Sequence, residues 1–242
     1  SDSPTIAFVL AAGKGTRMQD HASDRPKPLV EVAGRSLIDR VLDNLGAAGV
    51  QHTVVNVHHM ADMLESHLTK RLGGPSIDFS DERAQLLETG GGLVKALPSL
   101  GADPIFVVNS DALWQEGAKD SLLGGLRTAF DAETMDILLA LVPVEAAHGY
   151  KGSGDFHRDA DGRLRRVQPG GTAPYIFAGV QVVRPQIMDT YPMRPFSMNI
   201  AFDDAIKAGR LFGHVHNGQW YHVGSAAEVK TAEAAFETHE NI

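Results

Sequence analysis

Apolar positions in this chain come in short β-branched runs separated by longer stretches with helical spacing. Ile6–Leu10, His52–Val57, Ile77–Ser80, Ile105–Asn109 and Ile137–Val142 read as strands, most of them apolar enough to be buried on both faces. Between the first two, Leu37, Ile38, Val41, Leu42 and Leu45 fall on one helical face behind Ser36, a residue suited to cap it. Met60, Met63, Leu64, His67 and Leu68 mark a second helical face, its methionines expected as core filler. The alternation predicts an α/β protein with three layers, a mostly parallel sheet carrying helices on both faces.

After Val144 the texture changes. The stretch from Gly149 to Gly171 is rich in glycine and charge, with Asp161-Gly162 as a hairpin signal. A strand Tyr175–Val183, a helix Asn199–Ala208, two short strands between Leu211 and His222 and a last helix from Ala226 follow. No repeat or low-complexity linker divides the chain. Its 242 residues read as a single domain with one half up to about residue 144 and a second from about 145.

Composition narrows the class. Hydrophobic residues make up 43% of the chain, as in a globular protein. No run approaches the roughly 20 apolar residues that a membrane span needs. The opening Ser1-Asp2-Ser3-Pro4 is polar and lacks a secretory pattern. Absence of cysteine excludes disulfides, thiolate metal sites and cysteine nucleophiles. The expectation is a cytoplasmic protein without membrane attachment. A formal net charge of −8 argues against a nucleic-acid-coating protein. It also requires that any anionic ligand be met by cations gathered locally.

Such cations occur directly after the first strand, in Leu10-Ala11-Ala12-Gly13-Lys14-Gly15-Thr16-Arg17-Met18. Gly13 and Gly15 let backbone N–H groups turn toward a ligand, beside the charges of Lys14 and Arg17 and the hydroxyl of Thr16. Met18 breaks the G-x-G-x-x-G dinucleotide pattern, and Thr16 after Gly15 breaks the G-x-x-x-x-G-K-[ST] pattern. A polyphosphate lying on backbone amides fits the loop. A plain strand-to-helix turn also fits its glycines but has no use for the cations. Pro26-Lys27-Pro28-Leu29 then holds a lysine on a stiffened, extended backbone from which it can be aimed. Val107-Val108-Asn109-Ser110-Asp111 ends an apolar strand in a carboxylate, where ligands of open parallel sheets bind. Asp111 reads either as a Mg²⁺ ligand or as a turn-forming cap.

The run L-A-A-G-K-G-T-R-M followed by P-K-P-L resembles the signature of the sugar-1-phosphate nucleotidyltransferases, from Ile6 to about Phe236. Within that superfamily, Leu87-Glu88-Thr89-Gly90-Gly91-Gly92 and Lys95-Ala96-Leu97-Pro98 are similar to the bacterial uridylyltransferases acting on N-acetylmuramate 1-phosphate. The resemblance implies a Rossmann-like nucleotidyltransferase fold without the left-handed β-helix that some relatives append. Its substrates would be small molecules, a nucleoside triphosphate and a sugar 1-phosphate, on a monomer or small homo-oligomer. UTP and N-acetylmuramate 1-phosphate, and hence peptidoglycan recycling, are favoured. GTP with mannose or heptose 1-phosphate, CTP with another phosphorylated alcohol, and a catalytically silent nucleotide-sugar sensor remain as alternatives.

Carried onto this chain, the resemblance makes Arg17, Lys27 and Asp111 the catalytic groups, with Mg²⁺ on Asp111. Leu10, Ala11, Ala12, Gly13, Lys14, Gly15, Thr16, Glu88, Thr89, Gly90 and Asn109 would bind the nucleotide. The glycines after Glu88 are expected to let backbone groups reach the base edge. Gly154, Asp155, Ala178 and Gly179 would line the sugar site, although Asp155 also suits an exposed hairpin. One position departs from the family. Relatives carry D-x-G-T near the carboxyl end, whereas this chain reads His222-Val223-Gly224-Ser225. His222 is open to three roles: metal ligand, phosphate partner or strand terminus. Asp81-Glu82-Arg83 reads as a variable loop, and His58-His59 as surface or helix-start residues.

Overall fold

The computed structural model describes residues 4–18 and 23–237, and of Arg17 only the backbone. In chain order the main elements are β1 (Ile6–Leu10), α1 (Leu37–Ala47), β2 (His52–Val57), α2 (Ala61–Thr69), β3 (Ser76–Asp81) and α3 (Glu88–Ala96). There follow β4 (Ile105–Asn109), α4 (Leu122–Ala129), β5 (Ile137–Pro143), β6 (Phe156–Arg158), β7 (Leu164–Arg166), β8 (Tyr175–Val183), α5 (Met198–Lys207), β9 (Leu211–Val215) and α6 (Ala226–Glu237). The nine strands form one sheet ordered β7-β6-β8-β4-β1-β2-β3, with β5 also paired to β8 and β9 to β5.

Strands β1 to β5 and β9 run the same way, and β8 lies antiparallel between β4 and β5. Ala7, Phe8 and Val9 at the centre of β1 have no exposed surface, because helices cover both faces of the sheet. β8 departs from regular geometry where its register with β5 shifts between Phe177 and Gln181. Gly179 sits inside that bulge with φ +80°, a conformation that glycine adopts without strain. A small second sheet joins Leu113–Gln115, Gln219–Tyr221 and Ala147–His148 beside the main one. Among the described residues no helix is long and apolar enough to cross a membrane.

Local sequence explains most element limits. Ser36 caps α1, its Oγ accepting from the Asp39 N–H at 3.1 Å. The Asp161-Gly162 signal is a hairpin, with β6 and β7 antiparallel and Gly162 at φ +92°. β3 is one residue longer at each end than the apolar run suggests, and α5 starts and stops one residue earlier. Helix α4, capped by Ser121, went unpredicted because Gly124 and Gly125 interrupt its leucines. On α2 the expected face needs correction. Ala61, Leu64 and Leu68 are the buried stripe, whereas Met63 is 41% exposed and Met60 is a left-handed cap at φ +50°. His67 leaves the core stripe to bond Asp39 Oδ2 at 2.7 Å.

Two ion-pair clusters tie elements together. Asp136, at the start of β5, bonds Arg184 Nη2 at 2.5 Å and Arg210 Nε at 2.7 Å, joining the ends of β8 and β9. Burial opposes its charge, but the two guanidiniums outweigh that and hold its pKa below the ordinary carboxylate value. Asp39 on α1 is held low in the same way, with Ser36, His67 and Arg71 as donors against the cost of burial.

Candidate nucleotide site

The carboxyl ends of β1, β2 and β4 open into one cavity of about 280 Å³. Its walls come from the loop after β1 (Leu10 to Gly13, and Gly15), from Lys27, and from Asn109 to Asp111. Asn56 of β2 and the segment Leu86, Glu88 and Thr89 complete them. Five stretches separated in sequence therefore face each other across the strand ends, as expected at the switch point of an open α/β sheet.

Lys27 and Asp111 meet there. Nζ lies 2.6 Å from Oδ2, and the two side chains are 18% and 40% exposed. The lysine backbone is not extended as its prolines suggest: Lys27 opens a short 3-10 turn, and only the flanking Pro26 and Val30 are extended. Its stem packs on the loop, since a Cβ built on Gly15 would lie 2.9 Å from Lys27 Cβ. Gly15 has φ +57°, so both its conformation and its neighbour exclude a side chain. Among the described residues the N–H groups of Gly13, Lys14 and Gly15 have no protein acceptor and are available to an anion. Lys14 and Thr16 are exposed and do not line the cavity. The side chain of Arg17 lies outside the described residues.

Glu88 and Thr89 form the facing wall. Glu88 is exposed at φ +58°, a left-handed conformation unusual for a residue with a Cβ. Thr89 Oγ1 accepts the Met198 N–H at 2.7 Å, so it ties α3 to the first turn of α5. The glycines behind them serve packing rather than an open base edge. A Cβ on Gly90 would lie 2.6 Å from Phe196 Cδ2, and one on Gly91 would lie 3.0 Å from the Arg194 carbonyl carbon. Gly90 is buried and outside the cavity lining. The run allows α3 to approach the 194–196 segment closely, an approach that only a tertiary neighbour reveals.

Sequence reasoning gave little weight to Glu82, which the fold makes central. It is completely buried. Its Oε2 accepts Asn56 Nδ2 at 2.8 Å and its Oε1 accepts the Leu87 N–H at 2.8 Å. His58 Nδ1 lies 2.6 Å from its carbonyl oxygen, so that histidine also belongs to this network rather than to a plain surface. The detectable signal was the charge itself, in a segment that directly precedes the Leu87–Gly92 run.

The residues expected at the sugar site are held by other contacts. Gly154, Asp155, Ala178 and Gly179 do not line this cavity. Asp155 Oδ2 accepts the Phe177 N–H at 2.9 Å, supplying a partner where β8 bulges. The Ala178 carbonyl accepts Trp220 Nε1 at 3.0 Å. A Cβ on Gly154 would meet the Ala173 carbonyl, and one on Gly179 would lie 3.0 Å from Asn109 Nδ2. Both glycines are thus required by close backbone packing, and Gly179 supports the strand end that carries Asp111.

His222 also lies off the cavity lining. Its Nε2 is 3.7 Å from Glu228 Oε2 in the first turn of α6, and its ring stacks on Trp220. Glu228 in turn accepts the Gly224 N–H at 2.6 Å. Among the described residues no three His, Asp or Glu side chains converge as a metal cage. Asp111, beside Lys27, and Glu88 on the facing wall are the carboxylates at the cavity. Magnesium commonly takes one or two protein carboxylates and completes its octahedron with substrate phosphates and water, so this donor set fits it.

Comparison with known proteins follows the same lines. Residues 7–146 match the model of the MobA-like NTP transferase domain. The chain is 44% identical over 242 residues to the N-acetylmuramate alpha-1-phosphate uridylyltransferase of Caulobacter vibrioides, covering 97% of this chain and 100% of that protein. It is 32% identical to the Neisseria meningitidis protein of the same name, covering 94% and 96% respectively. Among solved structures, HddC from Yersinia pseudotuberculosis complexed with GMP-PN superposes with a TM-score of 0.77 over 96% of this chain and 99% of that one. At 23% identity that likeness speaks to the fold.

Proposed function

The chain belongs to the MobA-like NTP transferase family, and from that premise we propose that it transfers a uridylyl group from UTP to N-acetylmuramate 1-phosphate. The two N-acetylmuramate alpha-1-phosphate uridylyltransferases it resembles match it over nearly their whole lengths. The observation that carries the reading is the Lys27–Asp111 pair. A cation and a carboxylate 84 positions apart meet at 2.6 Å on the wall of the cavity that the glycine loop closes.

The chemistry needs no protein nucleophile. A phosphate oxygen of the sugar 1-phosphate attacks the α-phosphorus of UTP, a P–O bond forms, and the bond to the bridging oxygen of the leaving pyrophosphate breaks. The attacking phosphate is already an anion at neutral pH, so catalysis reduces to positioning two anions and neutralising their charge. The free N–H groups of Gly13 to Gly15 suit the β- and γ-phosphates. Lys27, released from Asp111, suits the α-phosphate and the incoming phosphate. Arg17, three residues after Lys14 in the same loop, suits the leaving pyrophosphate. Asp111 would hold Mg²⁺ together with the substrate phosphates. When bound, the ion would withdraw negative charge from the phosphate oxygens. Glu88 and Thr89 stand where a nucleoside would lie against α3. In the same reading Asp155, Ala178, Gly154 and Gly179 would shape the acceptor side, Gly179 lying in the β8 bulge beside Asn109. A supply of uridylylated N-acetylmuramate would serve cell-wall recycling in the cytoplasm.

The test is pyrophosphate release. Purified protein with Mg²⁺ is mixed with UTP, GTP, CTP and ATP, each against N-acetylmuramate, mannose, heptose and N-acetylglucosamine 1-phosphates. Fastest release with UTP and N-acetylmuramate 1-phosphate is the expected result. Nucleotide binding without release from any pair would overturn the reading in favour of a sensor.

A further inference from the structure

Glu82 is an expensive residue for the place it occupies. A carboxylate with no exposed surface loses its hydration. Among the described residues it forms no ion pair that would compensate. What it has instead are two aimed donors. Asn56 Nδ2 and the Leu87 N–H each reach one of its oxygens at 2.8 Å. Asn56, itself 2% exposed, turns its other end to the phosphate loop. Its Oδ1 accepts the Ala11 N–H at 2.6 Å and the Ala12 N–H at 3.2 Å. Gly92 completes the packing, since a Cβ there would lie 3.0 Å from Glu82 Oε2 and 3.1 Å from Asn56 Nδ2.

The polarity of this chain of bonds runs one way only. The backbone N–H groups of Ala11 and Ala12 can only donate, so the Asn56 amide presents its carbonyl oxygen to the loop and its NH₂ to Glu82. From the geometry we infer that Glu82 is a positioning residue for nucleotide binding, acting through Asn56. One buried acceptor fixes the phosphate loop at Ala11 and Ala12, and through Leu87 it fixes the segment that leads into Glu88 and Thr89. The pocket for the triphosphate and the wall for the nucleoside are thereby held in one register. Because Ala11 and Ala12 point their N–H groups inward, the donors left to a ligand are those of Gly13 to Gly15. This inference rests on the proposed nucleotidyl transfer.

The direction of the bonds supplies the test. In Glu82→Gln the new Nε2 faces Asn56 Nδ2, donor against donor. In Asn56→Asp two carboxylates face each other. In the double variant Asn56→Asp/Glu82→Gln the polarity is restored in mirror form. The introduced glutamine would donate to the introduced aspartate and accept from Leu87. The second oxygen of that aspartate would remain for Ala11 and Ala12, with the formal charge of the pair unchanged. Each variant is assayed for UTP binding by titration calorimetry with Mg²⁺, for the KM of both substrates, and for folding by circular dichroism.

Each single change is expected to weaken UTP binding and raise its KM about ten- to a hundredfold, the scale of one buried donor or acceptor left unpaired. The KM of the sugar phosphate should move by less than about twofold, since the network touches only the nucleotide side. The double variant should recover most of the lost affinity. Gly92→Ala, which keeps every charge and pushes on the same pair, should weaken UTP binding in the same direction. It serves as the variant of choice if a single exchange does not fold. Losses that simply add in the double variant, or single variants that bind UTP as wild type does, would overturn the inference. Wild-type protein that binds no nucleoside triphosphate would overturn the functional reading, and the positioning role with it.

Discussion

Replacing Lys27 by methionine separates charge from packing at the site. Methionine keeps an unbranched stem against Gly15, whose missing Cβ would sit 2.9 Å from the Lys27 Cβ. It removes the ammonium that lies 2.6 Å from Asp111. The stability cost follows from exposure. The two partners are 18% and 40% exposed, so water screens the pair, and the Asp111 carboxylate left behind can hydrate. A solvated pair of this kind contributes at most about 1 kcal/mol. For a chain of this size that lowers the melting temperature by about 2–4 °C. The catalytic cost is on another scale. Loss of one donor that meets developing charge costs about 10²–10³ in turnover, or about 3–4 kcal/mol of barrier. Pyrophosphate release and a thermal melt on the same preparation measure both. Turnover within threefold of wild type would refute the role given to Lys27. A stability loss above about 3 kcal/mol accompanied by a merely proportionate loss of activity would instead make it a structural residue.

Three further outcomes follow from packing and charge. Gly90→Ala should destabilise the protein by about 1–3 kcal/mol in a denaturant titration, although alanine is the better helix former, because its Cβ would press on the Phe196 ring. Ser36→Ala should cost about 1 kcal/mol, read as a lowered denaturation midpoint, through loss of the α1 cap. Asp136→Asn should cost about 1–3 kcal/mol, less than a fully buried pair because its arginines are 35% and 28% exposed. The same aspartate governs acid stability. Its folded pKa lies below the ordinary value, so its contribution is complete above about pH 4 and is lost as pH falls through the lower folded value. Acid titrations of wild type and Asp136→Asn should therefore converge below about pH 4, and a constant gap between them would contradict the assignment.

Legibility in the sequence tracked how local each signal was. β1, β2, β4 and β8 were readable to the residue because their apolar runs end at polar or glycine-rich turns. The α1 start was readable because Ser36 and Asp39 act within one turn. The α2 face was misread because Met63 and His67 satisfy the helical spacing yet point away from the sheet, and only packing against β2 and β3 selects Ala61, Leu64 and Leu68. The glycines at 90 and 91 announced a close approach without saying to what. Their partners, Phe196 and Arg194, lie about a hundred positions away. Glu82 read as part of a variable loop; its neighbours Asp81 and Arg83 are indeed exposed, but its own burial depends on Asn56 and Leu87 closing over it.

The glycine loop with its cations, and a lysine flanked by prolines, were determined by sequence alone, whereas the 3-10 turn that Lys27 adopts in place of extended backbone was not. Backbone freedom, φ restriction and charge are properties of residues and their immediate neighbours. That Lys27 faces Asp111, that His222 turns to Glu228 instead of the cavity, and that a buried Glu82 joins the phosphate loop to the segment before α3 were decided only by the tertiary structure. Those relations depend on which strand ends lie side by side in the sheet, and strand order is set by long-range packing that no local pattern encodes.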